Sequence, residues 1–195
     1  MILVITPENP VQNEMMVINH LFREKLDLLH VRKPGMSIEA MREYISRIDP
    51  DYHCQLVLHS HYSLSEEFGI SRIHFRESDR QNVPDHFFDE YILSTSVHTI
   101  DCFNELDARW EYAFISPVFP SISKKGYGTD SGILESIQYR KNDRSGLIAL
   151  GGISQHTIDA VFTEDVDGAA LLGAIWQSEE PIQVYTACRQ CALSL

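Results

Sequence analysis

Short apolar, β-branched runs recur along the chain at residues 2–5, 28–31, 55–59, 72–75, 91–95, 112–116, 147–150 and 168–172. Most are continuous rather than alternating, the pattern of strands buried on both faces of a parallel sheet. Amphipathic stretches lie between several of them. Residues 11–25 space Met15, Met16, Ile18, Leu21 and Phe22 at helical intervals, and residues 37–48 place Met41, Tyr44, Ile45 and Ile48 on one face behind Ser37. Ser154 reads as the N-cap of a third helix over residues 154–162. Eight strands alternating with helices predict an α/β fold, a single short-form (β/α)8 TIM barrel over residues 1–195. The weak unit is residues 77–90, where Pro84 leaves little room for a helix. An open doubly wound sheet is the competing arrangement, but no Gly-x-Gly-x-x-Gly follows the first strand.

Composition narrows the class. The chain has 195 residues, 44% of them hydrophobic and 23% charged, which suits one globular domain. Sixteen basic against 28 acidic residues give a formal net charge of −12. That balance argues against nucleic-acid partners, while leaving room for one phosphate in a local pocket. No apolar run approaches the ~18–20 residues of a membrane span, and the first residues lack the basic region of a signal peptide. A cytoplasmic protein without a membrane partner is therefore expected. Cys54, Cys102, Cys188 and Cys191 are then expected to be reduced thiols, with zinc at the Cys188–Cys191 pair a minor alternative.

Chemistry in a parallel barrel sits where the strands run out. After the second strand, alternation puts His30 and Arg32 on one face, pointing into the barrel mouth. A buried arginine needs an anion, supplied by a ligand or by a barrel carboxylate. His59 and His61 have the spacing of a metal pair, with His74 or His98 as further ligands, although hydrogen-bonded histidines fit as well. His98 precedes a helical stretch over residues 99–106, where the helix dipole favours a neutral acid–base group; a capping histidine is the alternative. Residues 116–128 form a long loop rich in hydroxyls, lysine and glycine, suited to closing over an anion. Gly151, Gly152 and Gly173 end the seventh and eighth strands, the usual phosphate position of such barrels.

Together these segments resemble the thiamine phosphate synthase / thiazole tautomerase family over nearly the whole chain. The most specific piece is the run from Ser116 through Pro117, Val118, Phe119 and Pro120 to Gly126. Ile148-Ala149-Leu150-Gly151-Gly152-Ile153 and Asp167-Gly168-Ala169-Ala170 follow, then His30-x-Arg32, Arg72-Ile73-His74 and Ser96-Val97-His98-Thr99. The resemblance implies a (β/α)8 barrel in thiamine (vitamin B1) biosynthesis acting on a small phosphorylated thiazole. It implies one of two chemistries. A synthase, a transferase, joins an aminopyrimidine pyrophosphate to a thiazole phosphate and needs Mg²⁺. A tautomerase, an isomerase, moves a proton on a thiazole carboxylate phosphate and needs no cofactor.

The departures favour the tautomerase branch. Synthases resemble Gln-x-Arg-x-Lys after the second strand, where this chain has His30, Arg32 and Pro34, with Lys33 expected on the opposite face. They carry Asn-Asp after the third strand, where this chain has His59-Ser60, leaving Asp79 as the metal carboxylate that would survive in a synthase. The resemblance then implies His98 as proton shuttle, with Arg32 meeting the substrate carboxylate and His30 beside them. Gly151, Gly152, Gly173 and Ala174 would hold the phosphate, covered by Ser121, Ser123 and Lys124. A non-catalytic binder of thiazole phosphate and a metal hydrolase using His59 and His61 are further alternatives. A homodimer is left open.

Overall fold

The computed structural model describes residues 1–120, 128 and 132–193. Eight strands lie at β1 (Ile2–Ile5), β2 (Leu28–Val31), β3 (Leu56–Leu58), β4 (Arg72–Phe75), β5 (Ile92–Val97), β6 (Tyr112–Ile115), β7 (Gly146–Leu150) and β8 (Gly168–Leu171). All neighbours pair in parallel and in chain order, and β1 closes on β8, so the sheet is a barrel. The apolar runs therefore locate every strand to within two residues. β5 runs two residues further than its run suggests, which brings Ser96 into the sheet beside Phe114.

Strand alternation divides the core. Outward residues such as Val4, Leu29, Val31, Leu58 and Ile115 pack under the helices together with Ile18, Leu21, Met41, Ile45 and Tyr185. Inward residues Leu3, Ile5, Val57, Tyr112, Phe114, Ile148 and Ala170 fill the barrel itself. A separate outer cluster of Ile73, Phe75, Leu93 and Trp110 lies against Phe87 and Phe88.

The helices explain how 195 residues hold eight units. α1 (Glu14–Arg23), α2 (Ile38–Ser46) and α9 (Pro181–Leu193) are long, whereas α3 (Leu64–Phe68), α4 (Asp85–Glu90), α5 (Ile100–Asn104), α6 (Ile133–Ser136), α7 (Ile158–Phe162) and α8 (Gly173–Trp176) have four to six residues each. Ser37 caps α2 by accepting the Ala40 N–H at 3.3 Å, and Thr99 caps α5 by accepting the Cys102 N–H at 3.1 Å. Two local expectations are corrected. Residues 77–90 hold a 3-10 turn at Glu77–Asn82 and then α4: Pro84 stands just before the helix, where its fixed φ starts the turn instead of blocking it. Ser154 does not cap α7, which starts four residues later behind Thr157; the Ser154 N–H instead donates to Thr157 Oγ1 at 2.9 Å. The four cysteines are free, and burial raises the Cys188 thiol to about 12. Among the described residues no helix is long and apolar enough to cross a membrane.

Candidate active site

The C-terminal strand ends gather most of the residues singled out from sequence. His98 follows β5 directly and is about half exposed. Its Nδ1 lies 2.7 Å from the Ser116 carbonyl at the end of β6. A carbonyl only accepts, so Nδ1 carries the proton and Nε2 keeps the lone pair. Nε2 lies 3.9 Å from Glu77 Oε2, a carboxylate placed to meet the imidazolium when it forms. The strand ladder thus fixes both the tautomer and the direction of the ring. The Ser116–Pro117 peptide beside it is cis.

Alternation along β2 sends successive side chains to opposite faces, with different results for each. His30 is fully buried inside the barrel, below the mouth that the sequence pattern assigned it. Arg32 lies above it, about a third exposed, and forms an ion pair with Glu8. The carboxylate that satisfies this arginine therefore comes from the β1 end of the barrel itself. Lys33 turns to the outer face as expected. It is 1% exposed, with Nζ 2.6 Å from Glu14 Oε1 and 5.1 Å from the Tyr44 ring centre. It is a buried strut between β2, α1 and α2 and supplies no charge to the mouth.

The histidine pair after β3 separates. His61 adopts a left-handed backbone (φ 53°) and its Nε2 lies 2.8 Å from the Met36 carbonyl, away from His59. His59 turns inward instead. Its Nε2 sits 2.9 Å from His30 Nδ1, and its ring stacks on His74 at 4.3 Å between centres. The Tyr112 hydroxyl lies 2.7 Å from His30 Nε2, while His74 contacts Ser94 at 2.9 Å and Ser96 at 3.0 Å. Burial first, then the charges of His74 and Arg72, hold the His30 imidazolium pKa well below its usual value. Burial and neighbouring charges act likewise on His59, and burial with Arg32 lowers His74 to about 3. All three imidazoles are neutral near pH 7. Sequence reading offers His59 with His74 as candidate ligands, but His30 joins them only through the pairing of β2, β3 and β4.

Where the resemblance expects metal carboxylates, the described residues do not make a site for a hard dication. Asp79 is exposed in the turn after β4, held by the Ser78 hydroxyl at 2.9 Å and facing Arg76 at 3.8 Å. Ser60 stands where the resemblance expects a carboxylate, and its buried Oγ has no hydrogen-bond partner among the described residues. Imidazole and a single hydroxyl are poor ligands for Mg²⁺, which favours carboxylates and water.

The opposite side of the mouth is built from backbone. Gly151 and Gly152 have φ of 106° and 66°, and a Cβ on Gly152 would stand 2.4 Å from the Pro120 carbonyl. The loop after β6 packs directly on them, with Val118 N–H donating to Leu150 O at 2.9 Å and Phe119 N–H to Gly151 O at 3.0 Å. The glycines therefore serve close backbone packing first. Gly173 and Ala174 open α8, where the first N–H groups of a helix have no acceptor within it. Both are partly exposed at the end of β8. Ser121, Ser123 and Lys124 lie outside the described residues.

The comparisons agree with this architecture. Residues 2–175 match the family model described as thiamine monophosphate synthase. A thiamine-phosphate synthase of Lysinibacillus sphaericus is 23% identical over 178 residues, covering 87% of this chain and 84% of that protein. One from Anoxybacillus flavithermus is 27% identical over 132 residues, 66% of this chain but 60% of that protein. The crystal structure of thiamine phosphate pyrophosphorylase from Bacteroides thetaiotaomicron superimposes with a TM-score of 0.78 at 24% identity, covering 98% of this chain and 96% of that one. With eight parallel strands closed in chain order and nine-tenths of its length matched, the chain belongs to the thiamine monophosphate synthase family of thiamine-biosynthesis enzymes.

Proposed function

We propose that this family member acts on a thiazole phosphate by proton transfer, as a thiazole tautomerase. The observation that carries the reading is His98. Its Nδ1–H is anchored on the Ser116 carbonyl, and its Nε2 is left at the mouth as a base with Glu77 behind it. A base held this way removes a proton from one ring position of the thiazole carboxylate phosphate. The resulting imidazolium returns it at another, giving the aromatic ring. The numbers of protons and electrons on the substrate are unchanged, so the step needs no redox partner. The N–H groups of Gly173 and Ala174, with the Gly151–Gly152 turn beside them, form the phosphate end. Arg32 is the cation nearest in kind to a substrate carboxylate, and it must exchange Glu8 for that group. Ser121, Ser123 and Lys124 would cover the phosphate.

The second reading is a thiamine-phosphate synthase, favoured by the names of the relatives. It asks for cations against a pyrophosphate and carboxylates for Mg²⁺. Here Lys33 is committed to Glu14, and Ser60 replaces a carboxylate. The two readings separate in one pair of assays. In excess chelator, the thiazole carboxylate phosphate is expected to aromatise faster with the protein than in its absence. Formation of thiamine phosphate from the aminopyrimidine pyrophosphate with Mg²⁺, without any aromatisation, would replace the tautomerase by the synthase. Binding without turnover in either assay would leave a thiazole-phosphate binder.

A further inference from the structure

We propose that His30, His59 and His74 form a binding site for a first-row transition metal ion of the zinc class inside the barrel. The site lies below the mouth and is independent of the proposed proton transfer. Three strands supply it: His30 from β2, His59 from the residue after β3, and His74 from β4. One ring nitrogen from each residue lies within 4.8 Å of the other two. Three imidazoles on one zinc, each bonded at ~2.0–2.1 Å, place their nitrogens roughly 3.3 Å apart. The His30 Nδ1 to His59 Nε2 separation of 2.9 Å is already close to that spacing.

The surroundings make the cluster unusual. Its neighbours inside the barrel include Ile5, Val57 and Phe114, with the charge of Arg72 also in reach. Barrel interiors are ordinarily filled by bulky apolar side chains, so three imidazoles at one level are a costly choice for packing alone. The hydrogen bonds around them match the outer shell of a histidine metal site, in which the nitrogen not bound to metal is held by a neighbour. Tyr112 Oη holds His30 Nε2 at 2.7 Å, leaving Nδ1 for the ion. Ser94 Oγ holds His74 Nδ1 at 2.9 Å, leaving Nε2, which now meets Ser96. His59 stacks on His74 and must turn to share an ion with it. It is the least buried of the three. Its partial exposure also opens the path from the mouth and leaves the fourth coordination position toward solvent.

The donor set selects the ion. Three neutral nitrogens without a carboxylate suit Zn²⁺, Co²⁺, Ni²⁺ or Cu²⁺ and reject Mg²⁺ and Ca²⁺. Metal binding therefore neither supplies nor requires the hard-cation site of a synthase.

The test uses the full-length protein without a histidine tag, stripped by chelator and titrated with Co²⁺. One equivalent is expected to give the visible d–d bands of a tetrahedral ion, and Zn²⁺ is expected to displace it. His59→Gln and His74→Gln are each expected to abolish the bands, and Tyr112→Phe to weaken binding on the order of tenfold. His20→Gln, at the exposed pair with Glu24, is expected to change nothing. Absent bands, or bands that survive both His59→Gln and His74→Gln, would show that the cluster holds only protons. Should those variants fail to fold, imidazole ¹⁵N spectra of the wild-type protein decide. Zn²⁺ must shift the resonances of three buried histidines; shifts confined to exposed ones overturn the site.

Discussion

At the residue scale, the mouth is controlled by which partner each polar group already has. Arg32 is held by Glu8, so a substrate carboxylate competes with a resident one. Glu8→Gln is expected to lower KM for a carboxylate-bearing thiazole, and Arg32→Ala to raise it by about tenfold, as losing a charged hydrogen bond of ~1.5 kcal/mol implies. Steady-state kinetics on the two variants check this; an unchanged KM in both would remove Arg32 from the site. Gly152 makes the opposite point, since its role is steric. Its φ of 66° and the 2.4 Å approach to the Pro120 carbonyl leave no space for a methyl. Gly152→Ala is expected to cost about 2 kcal/mol or more and to displace the loop after β6, read as a lowered Tm. The double glycine was visible in the sequence as a phosphate signal. Its packing duty was not, because the residues that crowd it lie more than thirty positions earlier in the chain.

At the scale of elements, the buried Lys33–Glu14 pair joins β2 to α1, and Tyr44 adds α2 by donating its hydroxyl to Glu14 at 2.5 Å. Burial, then the charge of Glu14, raises the Tyr44 pKa, so the phenol stays a donor. Lys33→Met leaves Glu14 buried without its cation and is expected to destabilise by ~3–5 kcal/mol. Adding Glu14→Leu is expected to recover most of the loss. Urea denaturation of the single and double variants measures both effects. The strand ends also show where sequence reading stopped. Alternation turned His30, Arg32 and Lys33 to the expected faces although β2 ends at Val31, because the next backbone N–H, that of Arg32, is still held across to Thr6 Oγ1 at 2.8 Å. It failed at His59 and His61, because β3 ends at Leu58 and the backbone turns left-handed at His61. A His-x-His spacing implies a shared face only while the strand continues. Pro84 misled for a related reason: a proline that stops a helix from running through it also starts one well.

At the scale of the whole molecule, the eight strands were legible because buried parallel strands write continuous apolar runs. The site was legible only where it hangs on those strand ends. The histidine cluster needed the strand order, since residues 30, 59 and 74 become neighbours only when β2, β3 and β4 pair side by side. That cluster also sets a pH dependence for the metal-free protein. Burial first, then the charges of Arg32, Arg72 and Arg76, keep its imidazoles neutral in the fold, while unfolded histidines protonate near 6.5. A depressed folded pKa makes the unfolded state bind more protons as pH falls. Stability is therefore intact above about 6.5 and falls as pH drops; for His74 the loss runs down to about 3 at ~1.4 kcal/mol per pH unit, and His30 and His59 act in the same direction. Denaturation midpoints that stayed level from pH 7.5 to pH 5 would contradict this. The central claim, proton transfer by a fixed His98, is tested most directly by single-turnover aromatisation of the thiazole carboxylate phosphate in chelator, wild type against His98→Ala. The predicted result is a rate lower by ~10²–10⁴-fold in the variant, with substrate affinity retained. A variant rate within twofold of wild type would contradict it.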